Sequence, residues 1–495
     1  MVRTTEKNYQ KLQEIFSKYY LLNKTNAILA WDRQVMMPKN GFALRKEQQM
    51  LLDQISNDLI CKPQVKELLD NCDISRLSNL ERRDLDLMKK MFIHKTAIPK
   101  NLRQEFISLG LETEEIWAEA RANNDFQYFN SSFKKLVAIV RQIAIIKSEI
   151  LNVTAYEALL DSNDEGRKEK DIDDLFARLV IELPPLIDKA ISKQEKPIRF
   201  LKNYPVDLQE KLGLEVIKHF GFNKSWCRAD ESLHPFSSSE PGDARITTRY
   251  YKDDFLSGLM AFIHEIGHAL YDNHRPKSKM LKAVGQYQGM ALHESQSLFL
   301  EMQIGRSRAF CEFLAPKMQN IFNLDQEICS PQNLFHQINR VKRSYIRVDA
   351  DEMTYPLHVI LRYQIEKQLI YGEIETDDLE EVWNEKLKTL LDLKAPTVSQ
   401  GVLQDIHWAD GTFGYFPTYS LGAIYSSMIA KKVKELIPDF NNLIAKGDFM
   451  EILDCLKHNI HLRAATDNAD AIIKNFCGKS LDSDIFIDYL KEKYC

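Results

Sequence analysis

Apolar residues return at every third or fourth position through most of this chain, a period that favours long amphipathic helices over any other regular structure. Between Tyr9 and about Asn71 the stripe runs through Leu12, Ile15 and Phe16 and later through Leu51, Leu52, Ile55 and Leu59, with a break near Met37-Pro38. A helical hairpin turned at that proline is expected. The stretch from about Leu80 to Asn152 has the same texture. Another helical run begins near Asp171 and is expected to be interrupted at Pro184-Pro185. Helix breakers are scarce, with 18 Gly and 16 Pro in 495 residues, so the fold class is mainly α. No fixed-period repeat or low-complexity linker marks a domain cut.

Hydrophobic residues make up 44% of the chain and charged residues 28%, ordinary proportions for a globular protein with a substantial core. The formal charge is only -5, from 66 Lys+Arg and 71 Asp+Glu, and no basic stripe interleaved with aromatics stands out. Nucleic acid is therefore an unexpected partner. The opening MVRTTEKNYQ is polar, and the apolar run from Leu136 is broken by Arg141 and Gln142. A soluble, unexported, cytoplasmic protein with no membrane association is expected. The eight cysteines are scattered without a CxxC pair, which points to reduced thiols and away from a disulfide framework or a thiolate zinc site.

Two segments depart from the helical texture. SLHPFSSSEPGDARITTRYY, Ser232 to Tyr251, packs Pro, Ser and Gly ahead of an alternating β-branched stretch and reads as a loop feeding a short strand. Asp253-Asp254 then cap a helix expected to run to about Tyr271, with Leu256, Leu259, Met260, Ile263 and Leu270 as its apolar stripe. The second irregular segment spans about Gln400 to Ser420. Loops on a rigid scaffold are where chemistry concentrates.

Inside the capped helix stands His264-Glu265-Ile266-Gly267-His268, an H-E-x-x-H in which both imidazoles share one face a turn apart and can hold one zinc ion, with Glu265 beside it as a base. A catalytic zinc needs a third protein ligand. The helical segment Gly289 to Gly305 offers His293, Glu294 and Glu301; Glu294 lies 26 residues beyond His268, a spacing that lets a helix hairpin return a glutamate to the metal. The glycine and histidine that metzincins carry after the motif are absent. A helical interaction protein with an accidental motif is the reading from another class.

Six ordered motifs carry a resemblance that spans most of the chain. They are His234-Pro235-Phe236, Asp243-Ala244-Arg245-Ile246-Thr247, HEIGH, His293-Glu294-Ser295-Gln296, Ile346-Arg347-Val348-Asp349-Ala350-Asp351, and Gly401, Gln404, Asp405, His407 and Trp408 of G-x-x-Q-D-x-H-W. In these the chain resembles the Taq-type metallocarboxypeptidases. The opening LAWDRQVMMPKNGFALR, with Trp31, Asp32, Met37 and Pro38, is similar too, and its expected role is packing.

The resemblance implies a single helical peptidase domain over 1–495, with an N-terminal lobe over about 1–200 and a catalytic lobe over about 201–495. The two lobes would flank a deep groove walled by a small sheet around Ile246 to Tyr250. It implies His264, His268 and Glu294 on the metal and Glu265 as general base, one zinc per chain with cobalt or another divalent ion able to replace it, and a homodimer. Arg347 and Arg245 become candidates for the substrate's terminal carboxylate, since a guanidinium fork suits that group. His407 with Tyr419, and Tyr415 second, become candidates for stabilising the oxyanion, and His234 an additional substrate contact. Related zinc peptidases can carry a supporting Asp four residues after the glutamate ligand; here that position is Leu298. The expected reaction is release of single residues from the free C-terminus of peptides, and the alternative is an endo-acting zinc oligopeptidase on the same scaffold.

Overall fold

A computed structural model describes the backbone of residues 2–495 apart from 201, 202 and 233, and the side chains from Lys7 onward. Helices dominate, and one three-stranded sheet interrupts them. The expected N-terminal hairpin is present as helices Val2–Val35 and Phe42–Ile60, joined across Pro38. With the helices that follow, it builds a hydrophobic cluster of its own, from Tyr9, Leu12 and Phe16 to Leu85 and Met88. A separate and larger core starts at Ala120 and Phe126 and runs to Leu490.

One expectation fails at Pro184-Pro185. The helix Glu169–Lys193 runs through both prolines without a break. Each proline removes one N–H and so frees a carbonyl one turn back, at Val180 and Ile181. Ile181 is exposed and Val180 partly so, which lets water take those carbonyls. On the opposite face Phe176, Leu179, Leu183, Leu186 and Ile187 stay buried and hold the axis straight. Packing of that stripe outweighs the local cost.

The sheet comprises β1 (Cys227–Glu231), β2 (Ser237–Glu240) and β3 (Asp243–Thr248), with β3 central, parallel to β1 and antiparallel to β2. Pro241 and Gly242, the latter at φ 92°, make the tight β2–β3 turn, as Pro then Gly does in a type II turn. The third strand ends at Thr248, two residues short of the expected Tyr250, where Thr248 Oγ1 donates to the carbonyl of Gly258 at 2.7 Å. That bond seats the sheet on the helix Phe255–His274, which contains HEIGH. Among the described residues no helix is long and apolar enough to cross a membrane.

Candidate active site

The Asp254 side chain accepts from the backbone N–H of Ser257 at 3.1 Å and starts the HEIGH helix, the second of the two aspartates expected there. Regular α-geometry through the motif puts His264 and His268 on one face. Helix Met290–Leu298 crosses that face at Gly267, where a Cβ would sit 2.6 Å from Ser297 Cα. The near contact of the two backbones carries Glu294 to the imidazoles. Its Oε1 lies 3.8 Å from His264 Nε2 and its Oε2 3.4 Å from His268 Nε2, and one donor atom from each of the three residues falls within 4.8 Å of the others. Helix Pro417–Leu436 closes the far side at Gly422, whose Cβ would stand 2.8 Å from Glu294 Cγ. Two imidazole nitrogens and a carboxylate converging on one point form a donor set that suits a divalent ion such as zinc.

The other two spacing candidates stand behind this trio. Glu301 belongs to a π-helical turn, Phe299–Gly305, that continues the Glu294 helix. Its Oε2 accepts from His264 Nδ1 at 2.9 Å, while its Oε1 takes Nη2 and Nε of Arg306 at 2.8 and 3.1 Å. His293 turns to Asp272, Nε2 to Oδ2 at 3.1 Å, and stacks its ring on His268 at 4.5 Å between centroids. Outer support for His264 therefore comes from Glu301, and Leu298 is simply buried.

Glu265 is 7% exposed. Burial pushes its carboxyl up to about 7, with the adjacent His264 pulling the other way. Burial acts on Glu301 in the same direction, but Arg306 and the His264 hydrogen bond outweigh it and hold that carboxyl down at about 2. Two glutamates lining one cavity are thus tuned in opposite senses, one toward proton exchange near neutrality and one toward permanent charge.

His264, Glu265 and Glu301 line a cavity of about 850 Å³ whose lining also includes Val348, Asp349 and Ala350. Arg347 opens that turn and is 6% exposed. Its Nε and Nη2 donate to Asp405 Oδ1 at 3.0 and 2.9 Å, and its Nη1 to the Tyr355 hydroxyl at 2.6 Å. Three of the five guanidinium N–H groups are used in these bonds, which leaves two for a ligand. Gln404 Oε1 accepts from the Arg347 backbone N–H at 2.8 Å, so two of the separate sequence motifs form one cluster. In the same corner the hydroxyl of Tyr419 lies 3.4 Å from His407 Nε2, and the Tyr415 and Tyr419 rings meet edge to face at 5.3 Å. Burial raises both phenols, and the charge of Glu294 raises them further. Burial, with Arg347 nearby, drives His407 down to about 4, leaving a neutral imidazole at pH 7.

A family model for the carboxypeptidase Taq (M32) metallopeptidases matches residues 11–494. The chain belongs to that family. It is 33% identical to carboxypeptidase 1 of Bacillus subtilis over 501 aligned positions, covering 100% of this chain and 98% of the relative. It is 32% identical to thermostable carboxypeptidase 1 of Thermus thermophilus, covering 99% of each. Among solved structures, Trypanosoma cruzi metallocarboxypeptidase 1 superposes with a TM-score of 0.96 at 34% identity, covering 99% of each chain.

In this metallocarboxypeptidase two candidate substrate residues lie apart from the metal group. Arg245 is engaged by Asp243 through Nε and Nη2 at 2.9 and 3.0 Å, and its guanidinium lies 5.0 Å from the Trp31 ring, which Arg228 also contacts, at 4.5 Å. Those contacts fasten the N-terminal helix to the sheet. His234 is exposed, and its carbonyl accepts from Ser232 Oγ at 2.6 Å. Neither touches the three candidate ligands. Sequence reasoning overlooked Arg362, which is 0% exposed and donates through Nε to Asp405 Oδ2 at 2.6 Å. An Arg flanked by Val359, Ile360, Leu361 and Ile365 was the available signal, because a lone cation in an apolar run needs a buried partner.

Proposed function

We propose that this metallocarboxypeptidase holds zinc on His264, His268 and Glu294 and releases single residues from the free C-terminus of peptides, with Glu265 as general base. The observation that carries the reading is the convergence of those three donor groups beside the buried carboxylate of Glu265. An ion bound there would supply Lewis acidity, making a water acidic and polarising the scissile carbonyl. Glu265 takes the water's proton as the carbonyl is attacked and returns it to the departing amine nitrogen; a carboxyl near pH 7 can do both. The neutral His407 and the Tyr419 hydroxyl, with Tyr415 behind, offer donors to the carbonyl oxygen as it gains charge.

Arg347 gives the reading its exopeptidase character. It is held rigid by Asp405 and Tyr355, retains two N–H groups, and opens the turn whose Val348 and Asp349 line the same cavity as Glu265. A peptide carboxylate seated there sets the scissile bond one residue from the chain end. Digesting a defined peptide and following product masses over time tests this directly. A ladder losing one C-terminal residue per step is expected. Internal cuts at early times would replace the reading with an endo-acting oligopeptidase.

A further inference from the structure

Helix Tyr355–Tyr371 turns one face toward the irregular segment that bears His407. Tyr355, Arg362 and Glu366 are spaced by seven and four residues and so share that face. The first meets Arg347 and the second Asp405, two residues before His407. Glu366, 0% exposed, accepts three hydrogen bonds: at Oε1 from Trp408 Nε1 at 2.9 Å, and at Oε2 from the Gly414 N–H at 2.9 Å and the Tyr156 hydroxyl at 2.6 Å. Trp408 directly follows His407, and Gly414 directly precedes Tyr415. One carboxylate therefore grips the segment just inside the two ends of the span that separates the imidazole from the phenol.

The grip is tight where it closes. Gly414 has φ 75°, and a Cβ there would lie 2.8 Å from the backbone nitrogen of Leu160. Glu366 makes no ion pair among the described residues; its hydrogen bonds all come from neutral donors, and Arg362, one turn back on the helix, acts on it only from a distance. A buried carboxyl in that state costs stability that an apolar side chain would not. What it contributes is geometry.

We propose that Glu366 is a positioning residue for the peptidase reaction, fixing His407 and the tyrosines that follow it in place before substrate arrives. The inference rests on the reading of His407 and Tyr419 as oxyanion donors. Glu366→Gln keeps the size of the side chain, but its single carbonyl serves only one side of the grip and its NH₂ then confronts a donor on the other. In zinc-loaded protein, a peptidyl phosphonate that mimics the tetrahedral oxyanion should bind about 10²-fold more weakly, and kcat should fall alike. KM and the zinc content should stay near normal. Trp408→Phe breaks the same bond from the opposite side and should reproduce the loss, while the double variant should be no worse than the poorer single one. If Glu366→Gln does not fold, Trp408→Phe decides alone. Normal phosphonate affinity in the folded variants overturns the proposal, as does an equal weakening of substrate and phosphonate. His407→Ala and Tyr419→Phe tested on the same phosphonate separate the two ideas. If they bind weakly and Glu366→Gln does not, only the positioning role fails; if they bind normally, the donor reading fails and the positioning role with it.

Discussion

Glu301 Oε2 accepts a hydrogen bond from His264 Nδ1 at 2.9 Å, and this fixes which ring nitrogen is left to face Glu294. A carboxylate behind a histidine ligand sets the tautomer and makes the other nitrogen a better donor. Glu301→Ala should weaken zinc binding about 10- to 100-fold, read by competition with a chromogenic chelator. Glu301→Gln keeps an acceptor without the charge and should fall between. Wild-type affinity in both would leave Glu301 as no more than a partner of Arg306.

Glu265 and Glu294 share the site but should fail differently. Glu265→Gln leaves the three donor groups intact, so activity should collapse at near-normal zinc content. Glu294→Ala removes a donor, and the metal itself should be lost on dialysis. Elemental analysis beside an activity assay distinguishes the two. A Glu265→Gln enzyme with most of its kcat would end the general-base assignment.

Removing Arg347 should leave a folded protein, because Asp405 keeps Arg362 as a partner. Amidating the C-terminus of a good peptide should nearly abolish cleavage, since the guanidinium then has no carboxylate to receive it. Arg347→Ala should depress kcat/KM on free acids and shrink their advantage over amides. Arg347→Lys should restore little, for want of the fork. Equal cleavage of amidated and free peptides by the wild-type enzyme would remove the carboxylate from the recognition scheme.

Asp161 ties helix Asn79–Thr96 to the main body, accepting from Lys90 at 2.7 Å, His94 at 2.9 Å and the Gly166 N–H at 2.8 Å. Burial works to raise its carboxyl, but these bonds outweigh it and hold the group at about 2, below the ordinary 3.8. A depressed folded value means the contribution is present above pH 3.8 and is lost as pH falls toward 2. Asp161→Asn should therefore cost about 2 kcal/mol at pH 7 in chemical denaturation. The gap to wild type should close through that acid window, and a constant gap would show the carboxylate's charge to be irrelevant.

What was legible in the sequence was local. HEIGH declares itself because two histidines four apart on a helix share a face, and the Asp254 cap because an Asp ahead of an apolar stripe is such a strong start. The helix at Pro184-Pro185 was misjudged because breaker chemistry is local, whereas the burial of Phe176, Leu179 and Leu183 that overrides it depends on partners remote in sequence. Arg347 could be singled out by its motif, but its pairing with Asp405, 58 residues on, required the fold. Glu366 gave no signal, since an isolated glutamate on a helix ordinarily faces water.

Gly267 packs on the backbone of Gln296 and Ser297 and Gly422 on the side chain of Glu294, each bringing no side chain of its own to the contact. The separation of histidines and glutamate is therefore gauged by how closely two bare glycines let the neighbouring helices approach, a dimension that side-chain substitutions elsewhere in the interior barely alter. Tolerance at the two glycines should be correspondingly small: an added methyl at either acts as a wedge under Glu294. In a saturation survey scored by metal retention, these two positions, which carry no donor atom, should rank beside the ligands themselves.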